Sequence, residues 1–126
     1  MRSNLAYSTY SHNNASIESS EKLIKMLYEG VLRFTSLAKR ALDEGDIEKR
    51  TYWINRTSAI FSELINSLNY DGGHIAHYLS GLYIHQIKLL SEANIYNDSR
   101  KLDEVLHVTK ELLQAWKDET DYAVEE

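Results

Sequence analysis

The chain has no cysteine and no proline, and only five of its 126 residues are glycine. Without cysteine there are neither disulfides nor thiolate metal sites, and a reducing compartment such as a cytosol is the expected home. Without proline, and with so few glycines, little interrupts a helix, so long helices are the default reading. Positive charge is also scarce. The 14 Lys and Arg against 19 Asp and Glu leave a net charge of -5 at pH 7, and no basic stripe of the kind a phosphate backbone demands is visible. The expected partner is therefore protein and not nucleic acid. No apolar run approaches the roughly 18 residues of a membrane span, and the opening stretch MRSNLAYSTYSHNN has no apolar core of a secretory signal, so membrane insertion is not expected. A chain of this length is one domain's worth and is able to bury a sizeable core without staples.

What is present is helical periodicity. Residues 1–18 are polar, with Leu5, Tyr7, Tyr10 and Ile17 as their large apolar groups, and read as a flexible arm without a core of its own. From residue 19 to 126 the pattern is that of a single helical domain. Ser19 is placed to cap a first helix with Glu21 in its first turn. Leu23, Met26, Leu27, Val31, Phe34, Leu37, Ala38 and Ala41 follow at intervals of three and four, and Gly45 is placed to end it in the left-handed region. Asp46 then offers the cap of a second helix running to about Asn69, and the very short turn makes the two antiparallel neighbours. Asp71-Gly72-Gly73 supplies a second reversal, His74 to about Tyr96 a third helix, and Asn97 with Asp98 or Ser99 the passage into a fourth from about Arg100 to Asp118. The fold class is all-α, an antiparallel up-down four-helix bundle with an N-terminal arm.

Catalytic constellations are thin. Glu104-x-x-His107 has the spacing used by carboxylate-bridged di-iron bundles, but such sites need two copies, and these residues fall opposite the Leu102, Val105 and Leu112 stripe, hence toward water. His74, His77 and His85 approach one face of the third helix without a carboxylate or cysteine to complete a metal site. There is no nucleophile elbow and no phosphate-binding loop. No cofactor and no enzymatic activity are expected.

The third helix is more apolar than one core-facing stripe requires. Tyr78, Leu79, Leu82, Tyr83, Ile87, Leu89, Leu90 and Ala93 spread over roughly 180°, where a stripe of about 100° suffices. The second helix likewise carries two lines, Ile47, Ile54, Phe61, Ile65 and Leu68 on one and Trp53, Ile60 and Leu64 about 80° away. Either both helices touch two neighbours across wide arcs, or an apolar groove is left open for amphipathic helices of a partner. On the wheels, Trp53, Ile60, Leu64, Tyr83 and Ile87 are the candidate groove contacts, and Tyr7 and Tyr10 are candidate anchors of the arm.

Five segments in order, KLIKMLYEG (22–30), GDIEK (45–49), FSELINSLNYDGGHIAHYLSGLY (61–83), LLSEANIYND (89–98) and LLQAW (112–116), resemble the FliS family of flagellar export chaperones. AYSTYSHN in the arm is similar to that family's paired-tyrosine motif, and the one visible departure is Ser20 where many members have proline. The resemblance implies a helical bundle in the bacterial cytosol that binds the C-terminal segment of flagellin, prevents its premature polymerisation and brings it to the cytoplasmic domain of the flagellar export gate. A co-chaperone or self-association is open on this reading. The alternative is a homo-oligomeric structural or adaptor protein whose surplus apolar surface pairs with itself.

Overall fold

A computed structural model describes residues 17–125; Tyr7, Tyr10 and most of the expected arm lie outside the described residues. Four helices follow one another, α1 (Ile17–Asp43), α2 (Ile47–Asn66), α3 (His74–Tyr96) and α4 (Ser99–Glu125). The first starts two residues before Ser19, which is thus inside the helix and not its cap. No proline stops that extension.

The junctions follow from local chemistry. Gly45 takes φ 73°, while its N–H donates to Leu42 O and that of Asp46 to Ala41 O. This paired closure satisfies carbonyls that α1 would otherwise leave open. The Asp46 carboxylate then accepts from Lys49 N at 3.1 Å and caps α2. The second helix ends at Asn66, three residues short of the expected Asn69. Leaving the helix there lets Leu68 turn into the core, and the Asn69 side chain accepts from Asp71 N to start the short 3-10 turn Tyr70–Gly72. Gly73, at φ 104° and ψ -153°, occupies a conformation that is essentially glycine's alone. Asn97 closes α3 at φ 55°. Asp98 accepts from Arg100 N at 3.0 Å to cap α4, and the Arg100 guanidinium beside it holds its carboxyl below the usual range.

Every helix packs on two others, α1 on α2 and α4, and α3 on α2 and α4, which closes the four into a ring. Cross-links show the alternation of direction. Lys39 near the end of α1 pairs with Asp103 near the start of α4 at 2.6 Å, whereas Trp116 near the end of α4 donates to the Glu21 carbonyl near the start of α1. That second contact explains why α4 runs seven residues past the expected Asp118. Trp116 and Thr120 are both buried.

The core is filled by Ile24, Tyr28, Val31, Ile54, Phe61, Leu64, Tyr83, Leu90, Leu102 and Val105. At its centre the Tyr28 and Tyr83 hydroxyls meet at 2.5 Å, and the Tyr83 ring lies 5.8 Å from that of Phe61. Each helix contributes buried polar residues, among them Thr35, Thr57, Gln86 and Thr109. The Thr57 hydroxyl donates back to the Trp53 carbonyl, but the Thr35 and Thr109 hydroxyls and both amide atoms of Gln86 have no hydrogen-bond partner among the described residues. An amide left unsatisfied in a core costs its desolvation. Gln86→Leu is therefore expected to raise stability by about 1–3 kcal/mol, read as a higher denaturation midpoint with unchanged helicity. A lower midpoint would show that the amide contributes to the fold.

Candidate functional site

Two lines of α1 have to be told apart. The inward line is Ile24, Tyr28, Val31, Ala38 and Leu42, all buried. Leu23 and Met26, which the periodicity places with the core, are instead exposed, Met26 to 64%. Beside them Leu27 and Phe34 are half-buried on the flank that faces α2.

Between α1 and α2 runs a mostly apolar trough of about 440 Å³, with Leu27, Phe34, Tyr52, Ala59 and Ile60 among its walls and Arg56 and Glu63 on its rim. Gly30 lets the helices approach closely at its floor, because a Cβ there would stand only 3.0 Å from Ile60 Cδ1. One end is aromatic. Trp53 packs 5.2 Å from Phe34 and edge-on to Tyr52 at 4.9 Å. Each ring is held by a packed helix, so the trough is a preformed surface.

The five residues proposed from the helical wheels do not come together. Ile60 lines the trough, and Trp53 stands in the aromatic cluster at its end. Leu64 and Tyr83 require correction. Both are 0% exposed members of the core, so neither presents to a surface groove in this fold. Leu64 points inward because α2 is squeezed between α1 and α3, and Tyr83 because its hydroxyl finds Tyr28 there and can be buried without loss. Ile87 is half-buried on α3, away from the trough. Leu27, Phe34 and Tyr52 were missed as contacts. The available signal was the apolar width of the first helix, where Leu23, Met26 and Leu27 flank a separate inward line.

Apolar surface remains on α3 as well. Tyr78, Ile84, Ile95 and Tyr96 are exposed, and a smaller cleft of about 330 Å³ between α3 and α4 is walled by Leu82, Leu89 and Val108. The histidines and carboxylates considered for metal chemistry sit on the surface. His77 stacks beside the Tyr70 ring, and His107 pairs with Glu111 at 3.0 Å with both side chains solvated. Among the described residues no group of three or more His, Cys, Asp or Glu is arranged to hold a metal ion, and no helix is long and apolar enough to cross a membrane.

Fold and surface together define a class of protein: an all-α four-helix bundle that leaves apolar surface exposed between its helices. The family model described as "Flagellar protein FliS" matches residues 2–121. The flagellar secretion chaperone FliS of Campylobacter jejuni is 57% identical over 119 residues, spanning 94% of this chain and 93% of its own. Those of Bacillus subtilis and Salmonella typhimurium are each 30% identical, over 88% and 89% of this chain and 83% and 85% of theirs. The chain belongs to the FliS family of flagellar export chaperones.

Proposed function

We propose that this protein is the cytoplasmic export chaperone of flagellin. It takes the C-terminal segment of newly made flagellin as amphipathic helix, covers the apolar face by which that segment polymerises, and carries it to the cytoplasmic domain of the export gate. The supporting observation is the preformed apolar trough between α1 and α2 in a chain of a flagellar secretion chaperone family. Such a trough suits helix-in-groove recognition, with anchors at helical spacing. On this reading Ile60 and Trp53 are partner contacts from the α2 side, Leu27 and Phe34 join them from α1, and Ile87 belongs to a second contact surface on α3. The mechanism is binding without chemistry. Ordering a flexible segment uses much of the gross energy of burying it, which keeps the complex releasable at the gate.

The arm, with Tyr7 and Tyr10, has a role in the same cycle. Its tyrosines cover apolar surface of the free bundle until flagellin displaces them, and the freed arm then contributes to gate binding.

Titration calorimetry of the full chain with the C-terminal segment of its own flagellin is expected to show one segment bound per chain. Circular dichroism of the mixture is expected to exceed the sum of the components as the segment gains helix. Absence of binding heat would overturn the proposal. Removal of residues 1–18 is expected to leave the bundle folded, make the free protein self-associate in light scattering, and weaken pull-down of the gate domain by the flagellin complex. Unchanged behaviour in both assays would leave the arm without either role.

A further inference from the structure

The chain as a whole is acidic, with a net charge of -5, yet one end of the trough is cationic. The Arg33 guanidinium lies over the Phe34 ring at 5.1 Å. That of Arg56 lies 5.3 Å from the same ring and 5.7 Å from the ring of Tyr52. Among the described residues neither arginine forms an ion pair with a carboxylate, whereas Lys39, Arg40, Lys49, Arg100 and Lys101 all do. A long hydrogen bond of 3.5 Å runs from Arg56 Nη1 to the Tyr52 hydroxyl.

A guanidinium resting on a ring has its flat face occupied and its N–H edges free. Those edges form the planar fork that matches a carboxylate, and the ring beneath removes part of the entropy that a free arginine loses on binding. Two such forks flank one aromatic face. At the other end of the trough stands Glu63, seven residues beyond Arg56 along α2, or about 10 Å at the helical rise of 1.5 Å per residue.

Resting on the reading of this trough as the seat of a helical partner segment, we propose that its occupant is an amphipathic helix bearing an Asp or Glu that docks between Arg33 and Arg56. Its apolar side chains fill the floor at Leu27 and Ile60, and a basic or amide side chain two turns from its carboxylate meets Glu63. The apolar floor supplies most of the affinity but accepts a helix in either direction and in several registers. The arginine pair at one end and the carboxylate at the other select one of them, and repel a helix docked in reverse.

The test uses the full chain and a synthetic peptide of the C-terminal segment of its own flagellin, alongside the same peptide with each Asp and Glu replaced by its amide. The double variant R33Q/R56Q keeps the aliphatic stems and is expected to bind the native peptide about tenfold more weakly, the scale of one or two partly exposed charge-assisted contacts. It is also expected to lose the fall in affinity that wild type shows as salt rises from about 0.05 to about 0.5 M. The amide peptide is expected to bind wild type about as weakly as the double variant binds the native peptide, and to be indifferent to R33Q/R56Q. R33K/R56K, which restores charge without the fork, is expected to regain the salt dependence and only part of the affinity. Lys110→Gln on α4 controls for overall charge.

Native-peptide binding by R33Q/R56Q as tight and as salt-dependent as wild type, with binding abolished by Ile60→Asp, would overturn the charge readout and leave the trough as the seat. Binding unaffected by Ile60→Asp would overturn both.

Discussion

Leu64→Asp is expected to unfold the bundle, whereas Ile60→Asp, one turn earlier on α2, is expected to leave it folded and to abolish capture of the flagellin segment. Leu64 is 0% exposed and packs within the central apolar cluster. Removing its side chain alone costs about 2–5 kcal/mol, and burying an unpaired charge adds several more. The sum reaches the total stability of an ordinary domain, about 5–15 kcal/mol. Ile60 is only half-buried, its side chain reaching across to Gly30 at the floor of the trough. A carboxylate there can turn to solvent, so the expected cost to the free protein is about 1–2 kcal/mol. In the complex it would be pressed against the apolar face of the partner, where the full desolvation penalty applies. Thermal melts of both variants, paired with calorimetry on the flagellin segment, check the contrast. A well-folded Leu64→Asp would return that residue to the surface.

The second large effect is expected at Arg50, in the first turn of α2. Its side chain is 9% exposed. It donates from Nε to Asn94 Oδ1 at 2.8 Å, from Nη1 to Asn97 Oδ1 at 2.8 Å and from Nη2 to the Asn94 carbonyl at 3.0 Å. The guanidinium thus closes the C-terminal end of α3, where the helix dipole is negative and carbonyls lack helical partners. Thr51 adds a bond to the same Asn94 side chain. Arg50→Ala removes three charge-assisted bonds at that end of α3. A loss of about 3 kcal/mol is expected, because such bonds are worth about 1.5–3 kcal/mol each and do not add. Arg50→Lys is expected to recover less than half, since a point charge cannot serve three acceptors in a fan. Chemical denaturation measures the loss, and amide exchange is expected to place it at residues 90–97. A uniform loss of protection would mean that Arg50 holds the whole bundle and not that junction.

Much of this was legible from local chemistry. Gly45, Asp46 and Asn97 act as the junction residues that their side chains predict, because positive φ and capping depend on one residue and its immediate neighbours. The bounds of α3 coincide with the expected ones for the same reason, set by Gly73 on one side and Asn97 on the other. The family was legible too, since it rests on ordered motifs along the chain.

The candidate site was legible only in part. A helical wheel places residues by angle, but it does not say which angles a neighbour will cover. Trp53, Ile60 and Leu64 share one side of α2, yet the close approach of α1 at Gly30 and the wedge of α3 behind it bury Leu64 and leave the other two at a rim. Tyr83 is a groove candidate by its angle on the wheel, and it is the arrival of Tyr28, 55 residues away in the chain, that gives its hydroxyl a partner in the core. Met26 and Ile24 are both apolar and lie two residues apart, and it is the placement of the neighbouring helices that buries one and exposes the other. Caps, turns and family are consequences of order along the chain. Which apolar residues form the core and which remain for a partner is decided by how four helices share the same angles, because burial is a property of neighbours that sequence spacing does not name.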